Sequence, residues 1–281
     1  MRTLVDKWGP VPRTLIRSLV NEEPYENSVA QAMANPDTVI TAVLNLDNTI
    51  NPGSSTVFFV KPRKAENIIY RSTPTVIVPT RWLVNKLVVE LGRHQAAKQM
   101  EFFRALCANP NTRSSAGWVF EEIVHEFLVR ASSISVRWGD KDETSVLKLP
   151  SSGVLSTYAA LNSRPPFYWR PSNPNDPGVD GAIVTDDHIY VIRGTISRNH
   201  MTPQDGVDSL WRSMPQDKKA LKWEMLFVGS TETQAKEVAA PYARGLTVGD
   251  SSTRGKQHVP VGWFSIFSNV SCSLHHGGFA G

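Results

Sequence analysis

The residues with the most chemical content in this chain are Asp180, Arg193 and Thr195. Asp180 precedes an apolar run, Gly181-Ala182-Ile183-Val184, that reads as a strand, and Asp186-Asp187 reads as the turn into a second strand that carries Ile192 through Ser197. Side chains alternate along a strand, so Arg193 and Thr195 share one face while Ile192, Gly194 and Ile196 share the other, and the apolar set is expected to face a core. An acid at the mouth of a hairpin, with two polar side chains two positions apart on its second strand, is an arrangement that suits metal-dependent phosphodiester hydrolysis. Carboxylates hold Mg2+ in an oxygen shell, and a neighbouring polar group orients water or phosphate. Glu121 or Glu122, on a helix, is a candidate second acid, and His200 a candidate acid or phosphate contact.

Each of these residues also has a plainer reading. Asp-Gly is a common turn pair, acids in the first turns of a helix are favoured by its dipole, threonine is a good strand residue, and an arginine in a strand is ordinarily a surface or ion-pair residue. Arg193 is the discordant member. A guanidinium is permanently charged and cannot ligate a cation.

Around these residues the pattern reads as α/β. Residues 1–35 are expected to be helical, with Pro12 at a helix start. Residues 38–79 read as β-rich, from the β-branched and aromatic runs Thr56–Val60 and Thr75–Val78. A long helical pattern covers 80–107, ended by Asn109-Pro110-Asn111, and a second helix is expected over 116–131, capped by Ser114 or Ser115. Strands are expected at 134–138 and 146–149, an ordered proline-rich loop at 164–174, the hairpin, a helix at 206–214, a strand at 223–228, a helix at 232–240 and a last strand at 259–264. The tail beyond 268 carries no periodicity and reads as disordered. Alternating helices and strands of this kind imply a mixed sheet.

The joint pattern resembles a known family. Phe120-Glu121, within Gly117-Trp118-Val119-Phe120-Glu121-Glu122-Ile123-Val124-His125, looks like its Gly-x-x-Phe-Glu helix. Val179-Asp180-Gly181 looks like its first strand acid, and Thr195-Ile196-Ser197-Arg198-Asn199-His200 like its Thr-x-Ser-x-x-His ending. The resemblance is to the restriction-endonuclease-like PD-(D/E)XK domain at the C-terminus of Crinkler effectors and retrotransposon hot spot (RHS) proteins, found in fungi, oomycetes and trypanosomes. Trp8-Gly9-Pro10-Val11-Pro12-Arg13 is similar to the element that closes the ATPase domain of those proteins, and Val259-Pro260-Val261-Gly262-Trp263 to the closing strand of the nuclease domain.

The resemblance implies a mixed-sheet restriction-endonuclease-like core flanked by helices, with an N-terminal α+β region. It implies an ATPase-end remnant at 1–35, a connecting region at 36–112, the nuclease-like domain at 113–267 and a tail at 268–281. It implies metal ligation by Glu121 and Asp180, catalytic or phosphate-positioning roles for Asp180, Arg193, Thr195 and His200, and Mg2+ as the cofactor of an active form. The family usually shows Gln where this chain has Arg193, so cleavage is expected to be weakened or absent with binding retained. No Gly-x-x-x-x-Gly-Lys-Ser/Thr loop occurs in the chain, so ATP is not expected. The implied partner is nucleic acid, DNA favoured, or a host nuclear protein, and the implied location the nucleus, of the host if the protein is secreted. Arg164, Arg170, Arg193 and Arg198 flank the hairpin, with Tyr168 and Trp169 either stacking on bases or packing beneath the proline-rich loop.

Composition sets the outer bounds. A formal charge of +4 over 281 residues permits a nucleic-acid partner without demanding one. No run approaches a membrane span, and the N-terminus lacks a secretory apolar stretch. Cys107 and Cys272 make no metal pattern, and His275-His276 has no spaced partners for zinc. Neither a nucleophile elbow nor a glycine-rich dinucleotide loop is present.

Overall fold

The computed structural model describes residues 2–44, 56–65, 68–94, 96–108, 112–139, 143–149, 154–171, 178–196, 202–249 and 256–266. The chain divides into two compact units, Met1–Ile123 and Val124–Gly281. The division falls inside a helix rather than in a linker.

The first unit opens with α1 (Arg2–Trp8), α2 (Pro12–Val20), α3 (Glu23–Met33) and α4 (Pro36–Leu44). A hairpin of β1 (Phe59–Ala65) and β2 (Ile68–Ile77) follows, then α5 (Arg81–His94), α6 (Ala96–Ala108) and α7 (Arg113–Arg130), which continues into the second unit. The helical reading of 1–35 matches α1 to α3. The β-rich reading of 38–79 is corrected at its start, where α4 is a helix. Its β-branched run Thr38-Val39-Ile40-Thr41 favours strand, but Pro36 and Asp37 suit a first turn, and Val39, Ile40 and Val43 form a buried stripe at helical spacing. The single long helix expected over 80–107 is two helices. The expected serine caps of α7 lie within the helix, because it begins at Arg113.

The Trp8-Gly9-Pro10 segment is an anchor of this unit. Trp8 is fully buried, donates its indole N–H to Glu22 at 2.7 Å and meets Tyr25 and Trp82 edge-on. Gly9 turns the chain at φ +84°, and a Cβ there would lie 2.9 Å from Phe59 and Pro79, so only glycine fits. Arg13 belongs to α2, but its side chain lies outside the described residues.

The second unit is an eight-stranded mixed sheet with helices on both faces. Its strands are β3 (Ser133–Trp138), β4 (Glu143–Lys148), β5 (Val154–Leu155), β6 (Phe167–Trp169), β7 (Gly181–Val184), β8 (His188–Gly194), β9 (Lys222–Gly229) and, after the small β10 (Leu246–Val248) and β11 (Gln257–Val259) ribbon, β12 (Val261–Ser265). Between β8 and β9 lie α8 (Pro203–Ser213) and α9 (Gln216–Lys219), and α10 (Glu232–Ala239) follows β9. The spatial order is β4-β3-β12-β9-β8-β7-β6-β5. The meander β6–β7–β8 is antiparallel, while β8–β9 and β9–β12 are parallel. Antiparallel strands need only the short Thr185–Asp187 turn, whereas each parallel pair needs a helical crossover. α8 and α10 lie in those crossovers.

The hairpin, the strand at 223–228 and the helix at 232–240 match the expected elements. The proline-rich segment expected as a loop contains β6, whose three residues are all buried. Its prolines stand outside the strand, where a missing N–H costs no ladder bond. The expected tail at 268–281, with Cys272, Asn269 and His275-His276, lies outside the described residues.

Both faces of β8 are core. On one face Ile189 and Val191 join Val184, Val207, Leu210, Trp223, Met225 and Phe227 beneath α8 and α10. On the other, the position of Gly194 abuts Val124 of α7, where a Cβ would lie 3.0 Å from a valine methyl. The expectation that only the Ile192, Gly194 and Ile196 face would be buried is therefore corrected. A central strand covered on both sides leaves no solvent face, so Arg193 itself is buried.

Candidate functional site

The hairpin register sets the site. Gly181 pairs with Ile192, so the next position along places Asp180 opposite Arg193. Opposed residues of an antiparallel pair share a face, which makes Asp180 and Arg193 a cross-strand pair of opposite charge. The main chain reinforces the register, since the Asp180 N–H donates to Ile192 O at 2.9 Å. The Asp180 carboxylate accepts from the Gly194 N–H at 2.7 Å, closing the mouth of the hairpin.

Arg193 is 7% exposed. Its Nη1 donates to the carbonyl of Gly178 at 3.0 Å. Gly178 has φ +81°, and a Cβ there would lie 3.3 Å from Arg193 Nη1 and 3.2 Å from the Gly206 amide in the first turn of α8. The glycine thus lets the chain before Asp180 pass between α8 and the guanidinium. Burial lowers the Arg193 pKa from its ordinary value, while Asp180 and the Tyr242 hydroxyl act in the opposite sense. Tyr242 is held there by stacking on Phe227, the β9 residue in register with Arg193. An arginine keeps its proton under such opposition. The result is a buried cation fixed by a carbonyl, with the Asp180 carboxylate near enough to act on its charge.

Thr195 is 5% exposed, just past the end of β8, with its amide on Val228 O at 3.1 Å. Its main chain continues the pairing toward β9. His200, Ser197 and Arg198 lie outside the described residues. Glu121 belongs to the first unit, where it forms an ion pair with Arg81, and its neighbour Glu122 accepts from Asn85 at 2.9 Å. The structure thus brings Asp180 and Arg193 together, and in the first unit gives Glu121 an arginine as well.

The donors do not suit the metal that the resemblance implies. A hard dication needs several oxygen ligands with negative charge, whereas the Asp180 carboxylate binds a backbone N–H and faces a guanidinium. Among the described residues no group of three or more His, Cys, Asp or Glu side chains is placed to hold a metal ion. The reading of Tyr168 and Trp169 as stacking residues also yields to packing: they are 2% and 1% exposed. Tyr168 meets Nδ1 of His125 at 2.5 Å, and the Trp169 indole N–H donates to Thr157 O at 3.2 Å.

Gly178, Tyr242 and the Gly194 amide were not singled out from sequence. Gly178, just before Val179-Asp180-Gly181, carried a signal, because a glycine ahead of a buried acid marks a tight approach. Tyr242 carried none, since it reaches Arg193 only through the folding of α10 over β9.

The second unit is therefore an α/β domain with a mixed sheet and, at one hairpin mouth, a buried guanidinium opposite a half-buried carboxylate. No family model matches the chain, and neither a curated protein nor a solved structure matches it. No helix among the described residues is long and apolar enough to cross a membrane.

Proposed function

We propose that the chain is a nucleic-acid-binding module built on a restriction-endonuclease-like domain whose metal position is filled by a buried arginine. It binds phosphodiester chains and does not hydrolyse them. The observation that carries this reading is Arg193, buried, bonded to Gly178 and opposite Asp180 in register, at the position where the resemblance implies a metal ligand. The mixed sheet, with an acid at the hairpin mouth and Arg193 and Thr195 two apart on the next strand, supports the fold side of the reading. The Glu121–Arg81 pair supports the loss of metal binding, because a carboxylate tied to a guanidinium is a poor ligand.

Arg193 stabilises the hairpin mouth by holding Gly178 and balancing Asp180. Its burial leaves it little reach toward a phosphate. Binding on this reading comes from exposed cations and does not depend on a divalent ion. Fluorescence anisotropy with a labelled DNA duplex, in Mg2+ and in EDTA, tests it. The expected result is equal affinity in both and a steep loss with salt. Undetectable binding at low salt, or binding that requires Mg2+, overturns it.

A further inference from the structure

We propose that the corner where α8 passes through α9 into β9 is the docking surface for the phosphate backbone of a nucleic acid. This deepens the function proposed above and rests on it. Arg212, Lys218, Lys219 and Lys222 lie within eleven residues, with Asp217 as the acid among them. Within that stretch the four cations and one acid sum to +3.

These cations differ from others in the molecule. Lys7 pairs with Glu22 and Glu26, Lys98 with Asp37 and Glu101, and Arg137 with Glu232. Among the described residues, none of the four corner cations has an ion pair, and none donates a side-chain hydrogen bond. Lys222 exerts a pull on the Glu224 carboxyl, but burial outweighs it and that carboxyl stays above its ordinary range. Lys219 Nζ lies 4.5 Å from the ring of the half-buried Trp211. Lys218 is 3% exposed, with Nζ 5.9 Å from the Phe167 ring. Arg212, Lys219 and Lys222 keep their charge toward solvent, and an anion arriving from outside is the partner left for them.

The chemistry of the corner selects the partner. Arg212, Lys219 and Lys222, spread over a helix end, a short helix and a strand start, can meet successive phosphates, whereas a lone phosphate would engage only some of them. Among the described residues the large exposed apolar side chains lie elsewhere, at α2, the β1–β2 tip, β4 and β5 among other places. A membrane surface would require apolar anchors beside the charge, and a protein partner a buried apolar centre.

The test is anisotropy with labelled DNA and RNA of equal length, comparing the wild type with the combined variant Arg212→Glu/Lys219→Glu/Lys222→Glu and with Arg244→Glu/Lys148→Glu/Arg130→Glu, exposed positions outside the corner, as a charge-matched control. Three phosphate contacts predict a log–log salt slope of about −2.7 on duplex DNA, or roughly a 40-fold loss of affinity between 50 and 200 mM salt. The combined variant is expected to lose at least about 100-fold at low salt, the control no more than about twofold. If the wild type binds nucleic acid but the folded combined variant binds equally well, or if the wild-type slope is below about 1, this surface is wrong while the binding function stands. If the wild type binds no nucleic acid, both fall. Displacement by inorganic phosphate beyond that of chloride at equal ionic strength, or equal binding to phosphatidylserine vesicles, also overturns the assignment.

Discussion

Removing the Arg193 guanidinium should destabilise the hairpin mouth, and the size of the effect follows from what it touches. Arg193→Met leaves the Gly178 carbonyl without its 3.0 Å donor and Asp180 without its facing cation. Breaking a fully buried pair by deleting one partner costs about 3–5 kcal/mol. Asp180 is only half-buried and keeps the Gly194 N–H, so the lower end applies, about 3 kcal/mol. Asp180→Asn keeps an oxygen for Gly194 but leaves Arg193, 7% exposed, without a carboxylate, for a cost of about 2–3 kcal/mol. In the double variant neither charge is stranded, so its loss should fall short of the sum by about 2 kcal/mol. Because the chain divides into two units, a whole-chain melting curve need not report this region. Urea unfolding read by amide exchange of peptides from β7 and β8 reports it directly. Additive losses, within about 0.5 kcal/mol, would refute the pairing.

Three further outcomes follow from packing and ionisation. A Cβ at Gly229 would lie 2.5 Å from the Ala235 amide, and α10 must shift to admit it, so Gly229→Ala should cost about 2–3 kcal/mol of stability in the second unit in denaturant titrations. Trp8→Ala removes a fully buried ring and its bond to Glu22, and should cost about 3–5 kcal/mol, seen as lost amide protection in α1, α3 and α5 with the β7–β9 amides unaffected. Tyr190 is pushed from 10.0 to about 12, first by burial and then by Glu224 and Asp187. A folded pKa above the unfolded one means that the native state holds the phenol proton longer. The associated stability is whole below pH 10 and is lost as the pH rises toward 12. Tyr190→Phe should flatten the alkaline limb of stability against pH over that interval, and an unchanged limb would contradict the assignment.

The hairpin was legible because two local signals agreed: alternation along 192–196 and an acidic turn between two apolar runs. The pairing of Asp180 with Arg193 was half legible. Spacing put Arg193 and Thr195 on one face, but the burial of that face depends on α8 and α10, which arrive later in the chain. The α4 segment misled because its β-branched residues favour strand locally, and tertiary burial of Val39, Ile40 and Val43 decided for helix. β6 was hidden by its flanking prolines, which mark loops on average but stand outside the three buried residues here. The corner cations were visible in sequence as Lys218-Lys219. What sequence did not show is that they lack carboxylate partners among the described residues, since pairing is a property of the packed surface.

The most direct test of the central claim is plasmid nicking by the wild-type protein in Mg2+ and in Mn2+, beside Asp180→Ala, on DNA that the protein is shown to bind. The account predicts bound plasmid that stays supercoiled with either metal and with either protein. Nicking by the wild type that Asp180→Ala abolishes would contradict it, and would return Asp180 to the role of a metal ligand.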